Sequence, residues 1–211
     1  MTQTTRRDKR PRAVDPEGGR AADAIGAATI RLLERMSLTD ISVAQILEEA
    51  GISRATFYFY FESKFAVLSG LLENAMDDIF ETVQPFLARP AGQAPEVALE
   101  RSIRAVTAAW HRHRLILQST AHHWHSDPGL RALWLSIAER FISAGAEEIE
   151  RERTAGKITS PLPGRMLAST LFWGTERVLY MAGLGIESSI PDEESAVDAL
   201  VAMWHGTLYG R

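Results

Sequence analysis

Apolar residues recur along most of this chain at intervals of three and four, and stretches that alternate apolar with polar are nearly absent. That periodicity predicts an all-α fold of about nine helices. The first stripe, Ile25, Ala28, Leu32, Leu33 and Met36, predicts a helix over about residues 20–36. The cleanest period, Phe65, Leu68, Leu72, Met76, Ile79 and Val83, predicts a fourth helix starting near Glu62. At about 22 residues it would span roughly 33 Å. Pro85, Pro90, Gly92 and Pro95 then punctuate a loop. Beyond it, Leu99, Ile103, Val106 and Trp110 predict a fifth helix, and Leu130, Trp134, Ile137 and Phe141 a seventh. The seventh closes in Glu-Glu-Ile-Glu-Arg-Glu-Arg before Gly156, a run that reads as a solvated face with Glu147 and Arg151 paired four apart. An eighth helix over about 162–184 offers Leu167, Leu171, Gly174 and Val178 on one face and Phe172, Glu176 and Tyr180 on another. A ninth is expected to open at Pro191, with Asp192, Glu193 and Glu194 at its positive end, and to continue through Val197, Leu200, Val201, Trp204 and Leu208. Surplus apolar surface on these last two helices, with Gly174 permitting close approach, points to a dimer.

The stretch from Ile41 to Lys64 has a different character, two short helices with almost no slack between them. Ser42 can cap the first while Gln45, three residues on, reaches back to the Ser42 amide, and Ile41 and Ile46 are spaced as a hydrophobic staple. Gly51 falls where a left-handed residue ends the helix, with Ile52 placed to touch Leu47. Ser53 then caps the second helix at once, which gives the angle of a helix-turn-helix. In that second helix Phe57 and Phe61 can face a core together, but Tyr58, Phe59 and Tyr60 cannot all join them. Aromatic surface left outside suits a helix that docks in a DNA groove, where a Tyr hydroxyl reaches phosphate and an aromatic edge meets a thymine methyl.

The block Gly51, Ile52, Ser53, Thr56, Phe57, Tyr58, Tyr60, Phe61 and Lys64 resembles the DNA-binding signature of the TetR family of bacterial repressors, with Phe59 where many members carry His. The Phe-Tyr-Phe-Tyr-Phe run and the closing Trp204, Leu208, Tyr209 and Gly210 are similar to the EthR-type members. The resemblance implies three divisions: a flexible basic arm over 1–19, a helix-turn-helix domain over 20–64, and a ligand-binding and dimerisation domain over 65–211 with the fourth helix as the link. It also implies that Arg54, Thr56, Tyr58 and Phe59 meet the groove, that Ser42, Tyr60 and Lys64 hold backbone phosphates, with Ser53 and Ala55 also among the DNA-binding residues, and that the last two helices of each subunit form a four-helix bundle across a two-fold axis. In the C-terminal part it implies an aromatic tunnel for a small hydrophobic effector, with Val106, Trp110, Trp134, Phe141, Phe172, Glu176, Tyr180 and Trp204 as its expected lining. Thr175-Glu176-Arg177 stands where EthR-like sequences carry Asn-Glu-Arg.

Composition narrows these readings. All five Trp lie beyond residue 95, an enrichment that serves either a large core or the wall of a cavity. The net charge of −4 argues against indiscriminate nucleic-acid binding, but Arg6, Arg7, Lys9, Arg10, Arg12 and Arg20 outnumber Asp8, Asp15 and Glu17, so the remaining 191 residues carry −7. The basic segment can neutralise phosphates or serve as a solubilising tail. The chain has no Cys, which excludes disulfides, thiolate metal sites and a Cys nucleophile and fits a reducing cytoplasm. No apolar run approaches the roughly 20 residues of a membrane span, and the Arg-rich start does not read as a signal peptide, so the expected compartment is the cytoplasm.

No Gly-rich phosphate loop or Gly-x-Ser-x-Gly elbow occurs, so an enzyme is not expected. His122, His123 and His125 cluster, but no third ligand at metal spacing accompanies a pair on one helix side, and neither a metal nor a cofactor is expected. The combined expectation is a homodimeric repressor that binds a two-fold related DNA operator and leaves it when the effector binds. The alternative is a DNA-binding dimer whose C-terminal domain takes no metabolite, or binds a protein partner. Glu176 in such a face is either an orienting acceptor or simply an ion-pair partner.

Overall fold

The computed structural model describes residues 16–87 and 94–210, and it contains no strand among them. Nine helices follow in order: α1 (Pro16–Leu33), α2 (Val43–Ala50), α3 (Arg54–Tyr60), α4 (Lys64–Leu87), α5 (Pro95–Arg112), α6 (Arg114–His123), α7 (Pro128–Thr154), α8 (Gly164–Leu184) and α9 (Val197–Tyr209). None of the helices described is long and apolar enough to cross a membrane. The expected basic arm lies almost wholly outside the described residues, as does most of the loop after α4.

The α2–α3 pair forms as its capping residues dictate. Ser42 donates its amide to Gln45 Oε1 at 2.8 Å, and the Gln45 amide donates to Ser42 Oγ at 3.3 Å, so the capping box closes in both directions. At the other end Gly51 takes φ 66°, a left-handed conformation that a Cβ would strain. Its amide donates to the Glu48 carbonyl and that of Ile52 to the Leu47 carbonyl, the paired bonds of a Schellman ending. Ser53 Oγ accepts from the Thr56 amide at 3.0 Å and caps α3, which begins at the next residue. Ile46 and Phe57, both fully buried, seat the pair on Ile25 and Leu32 of α1. Arg31 of α1 and Arg35, two residues beyond its end, both reach Glu49, at 2.6 and 3.0 Å. Hydrogen bonds from Arg31 and then Arg35 hold the Glu49 carboxyl below its ordinary range.

Helix α4 joins this unit to the rest. Val67, Leu68 and Leu72 belong to the same core as α1 and Phe57, and Met76 and Ile79 continue it toward α5 and α7. A second cluster, including Ile142, Ile149, Leu167, Leu171 and Leu208, fastens α7, α8 and α9 together. Gly174 meets Met203 of α9, whose Sδ would lie 3.4 Å from a Cβ placed there, so its small size is used inside the subunit.

Five boundaries, in four helices, differ from the periodicity reading. Helix α1 begins at Pro16 and ends at Leu33, earlier at both ends than expected. Helix α4 runs past Pro85 to Leu87. Helix α8 begins at Gly164, whose amide donates to Glu150 Oε1 of α7. Helix α9 begins at Val197, not Pro191. There the Ser195 amide donates to Asp192 Oδ1 at 2.8 Å, a local bond that makes a turn in place of a helical start. Glu193 is buried with Oε2 on His111 Nδ1 at 3.2 Å, so it does not serve the helix dipole. The acidic end of α7 is also only partly solvated: Glu148 and Glu152 are buried, and Arg151 pairs with Glu148 three residues back, not with Glu147.

Candidate nucleic-acid interface and effector pocket

Helix α3 divides cleanly between core and solvent. Phe57 points inward, while Arg54, Ala55, Tyr58 and Phe59 are exposed, Phe59 at 75% and Tyr58 at 48%. The Arg54 guanidinium lies 5.8 Å from the Tyr58 ring centroid, and the Phe59 and Tyr60 rings meet edge to face at 4.9 Å. Thr56 is half-buried, its hydroxyl 2.8 Å from Ser53 Oγ. Tyr60 is half-buried against the core, and Ser42 stands exposed at the start of α2. One convex edge therefore combines a cation, hydroxyls and an uncovered aromatic ring, the mixture that phosphates and base edges take.

Lys64 is engaged within the protein. Its Nζ donates to the carbonyl oxygens of Leu38, Thr39 and Ile41 at 2.7, 2.8 and 2.7 Å. An ammonium has three donors, and all three are used inside the protein in this conformation. The side chain clamps the turn before α2 to the start of α4, where the sequence expectation had placed it on a phosphate. The sequence signal was ambiguous because a Lys at this position fits either job.

His123 makes the other bridge between the two ends of the molecule. Its Nδ1 lies 2.8 Å from the Ser119 carbonyl and its Nε2 3.0 Å from Thr39 Oγ1. Ser119 O can only accept, so Nδ1 carries the proton, and in the neutral ring Nε2 accepts from the Thr39 hydroxyl. Both ring nitrogens are thus occupied, and among the described residues no group of three His, Asp or Glu is arranged to hold a metal.

The second feature is an apolar cavity of about 110 Å³ between α4, α5, α7, α8 and α9. Val106, Trp110, Phe141, Phe172, Glu176 and Trp204 line it, as expected. Trp134 and Tyr180 do not. Trp134 is buried behind the wall, its ring 6.2 Å from those of Phe172 and Trp173, and Tyr180 carries the Arg177 guanidinium 5.0 Å from its ring centroid. Sequence reasoning missed the α4 wall, Met76, Ile79 and Val83, although those residues lie on the most regular stripe of the chain. It also missed Ser102 and Thr175 from the lining. The cavity has few polar groups. Trp204 Nε1 donates to Thr175 Oγ1 at 2.9 Å. Burial pushes the Glu176 carboxyl above its ordinary range, against a smaller opposing pull from Arg177.

Residues 25–71 match the family model for bacterial regulatory proteins of the tetR family, and residues 99–210 that for the C-terminal domain of the transcriptional regulator EthR. The HTH-type transcriptional regulator EthR of Mycobacterium tuberculosis is 32% identical over 199 residues, 94% of this chain and 92% of that protein. EthR of Mycolicibacterium smegmatis is 32% identical over 209 residues, 98% of this chain and 94% of its own length. Among solved structures, the fatty acid degradation regulator FadR of Bacillus halodurans superposes with a TM-score of 0.71 at 16% identity, over 92% of this chain and 96% of that one. GusR of Salmonella enterica gives 0.70 at 19%, over 89% and 95%. The last two share the fold at low identity. On the family matches and the nearly full-length likeness to EthR, this chain belongs to the TetR family, as a transcriptional regulator with an EthR-type C-terminal domain and not an enzyme.

Proposed function

We propose that this regulator is a repressor acting as a homodimer in the cytoplasm on a two-fold related operator, and that a small hydrophobic effector in the α4–α9 cavity releases it. The observation that carries the reading is α4 itself. One end of it lies against the α1–α3 unit whose exposed edge suits a DNA groove, and residues near the other end form a wall of the cavity. In the bound state Arg54, Ala55, Thr56, Tyr58 and Phe59 meet base edges, and Ser42, Ser53 and Tyr60 lie at the backbone. Lys64 acts indirectly, by fixing α4 to the turn before α2. Helices α8 and α9 supply the dimer face.

An effector can shift this equilibrium only if it binds the DNA-competent and released states unequally. A cavity with α4 as one wall meets that requirement, because displacing Met76, Ile79 and Val83 changes the path of the helix that carries the reading unit. Fluorescence anisotropy tests the reading, with the duplex beside the protein's own gene and a scrambled duplex, each at several salt concentrations. Tight, salt-dependent and selective binding that weakens on adding an apolar ligand supports it. Selective binding that no ligand weakens would favour a C-terminal domain that takes no metabolite. Equal weak binding to both duplexes would count against this operator.

A further inference from the structure

The turn before α2 is held from two directions at one residue. The Thr39 carbonyl accepts from Lys64 Nζ of α4 at 2.8 Å, and the Thr39 hydroxyl lies 3.0 Å from His123 Nε2 at the end of α6. Thr39 and His123 stand 84 residues apart in the chain. Leu38 and Ile41, each 1% exposed, anchor the turn in the core, and Ser42, which caps α2, follows directly. A displacement of Thr39 is therefore passed to the start of α2.

His123 is itself firmly seated. It is 7% exposed, its Nδ1 donates to the Ser119 carbonyl at 2.8 Å, and the Phe65 ring of α4 lies 5.6 Å from its own. The next residue, Trp124, stacks on Trp173 of α8 at 6.2 Å, so the end of α6 is part of the C-terminal body. Thr39 by contrast is exposed, and its hydroxyl meets a buried ring nitrogen that would otherwise be an acceptor without a donor. Helix α6 also packs against α1. Apolar packing is non-directional, whereas a hydrogen bond fixes distance and angle together. The bond therefore sets an orientation that the surrounding contacts leave looser.

We propose that His123 is a positioning residue for DNA binding: through the Thr39 hydroxyl it locks the α1–α3 unit to the C-terminal body in the orientation that DNA accepts. Without the bond the unit samples a wider range of orientations, and the apparent affinity falls with the fraction of molecules left in the competent one. This rests on DNA binding by α3 and not on the effector or on a two-fold operator.

The test uses the full chain and a duplex that the wild type selects from a random pool. Thr39→Val keeps the branched shape and removes the hydroxyl at an exposed position. Its affinity by anisotropy is expected to fall about tenfold, the factor that one net hydrogen bond supplies, with the slope of log K against log salt unchanged. Thr39→Ser restores the hydroxyl and should retain wild-type affinity. His123→Phe should weaken binding to the same degree. The double variant should then bind no more weakly than either single one, as two residues acting through one bond require. Thermal unfolding, run alongside, separates this from a role in stability alone, which would lower the melting temperature and leave the affinity of the folded protein intact. Unchanged or tighter binding by Thr39→Val overturns the proposal, as does Thr39→Ser binding as weakly as Thr39→Val. A salt slope reduced by about one would put Thr39 itself on a phosphate, and losses that multiply in the double variant would make the two residues independent; either result also overturns it. Should His123→Phe fail to fold, the contrast between Thr39→Val and Thr39→Ser decides.

Discussion

At the scale of single residues, Phe59 and Lys64 make opposite cases. Phe59 exposes three quarters of its surface on the solvent-facing edge of α3, with Tyr60 edge-on beside it. Folding gains little from such a ring, so its value is expected in the complex, against a thymine methyl. Phe59→Ala should leave thermal stability unchanged and weaken operator binding about tenfold. Replacing the contacted thymine by uracil should cost the wild type several-fold and the variant nothing, as read by anisotropy; an equal loss in both proteins would sink the contact. Lys64→Met should do the reverse. Losing three bonds to carbonyls destabilises the chain by about 2–3 kcal/mol in chemical unfolding. DNA affinity should then fall with the slope of log K against log salt unchanged, because no phosphate contact is lost; a slope reduced by about one would restore Lys64 to the backbone. The Gly-Ile-Ser block announced both residues by their positions, but what Lys64 touches depends on the turn before α2, far from it in the local pattern.

At the scale of elements, the α7–α8 pair and the cavity between them can be perturbed separately. Gly145 of α7 lines the cavity, and a Cβ added there would meet only Ala168 Cβ at 3.5 Å. Gly145→Trp is expected to fill the space and to abolish ligand-induced release from DNA in an anisotropy assay. Normal release in that variant would count against the cavity. On the outer side, Arg165 of α8 donates two bonds to Glu139 of α7, at 2.8 and 2.6 Å. The Arg165 guanidinium, and next the Ser143 hydroxyl, bring the Glu139 carboxyl down to about 2 from 4.5. Because the folded value is depressed, the pair's contribution is present above the ordinary carboxylate range and is lost as pH falls toward about 2. Glu139→Gln should flatten that part of the stability profile in pH-dependent thermal unfolding. The effect is small, since both groups are solvated. An unaltered acid limb in the variant would show that other carboxylates dominate it.

At the scale of the whole molecule, α4 runs through one core from the α1–α3 unit to α5 and α7, and its 24 residues span roughly 36 Å, with the exposed edge of α3 near its start and the cavity wall at Met76, Ile79 and Val83. Two such subunits related by a two-fold axis would place their α3 helices in successive major grooves about 34–36 Å apart. Inserting about five base pairs, half a helical turn, between operator half-sites should put the second site on the wrong face and reduce affinity to that of one half-site. Footprinting would show protection collapsing to a single side. Undiminished protection of both halves would argue against a rigid two-fold dimer.

Local sequence determined the elements that depend on near neighbours: the helical period of α4, the Ser42–Gln45 box, the left-handed Gly51 and the exposed Tyr58 and Phe59 follow from residues within a few positions of one another. It also carried the family, through a block whose spacing is itself local. Tertiary structure decided what depends on distant partners. Asp192 and Glu193 look like a helix start until one binds Ser195 and the other sinks against His111, and Glu148 and Glu152 look solvated until neighbouring elements cover them. Trp134 and Trp110 share the same apolar periodicity, yet one is packed behind the cavity wall and the other forms it. Periodicity says which face of a helix is turned inward, but whether that face meets another side chain or an open space is settled by the packing of five helices at once.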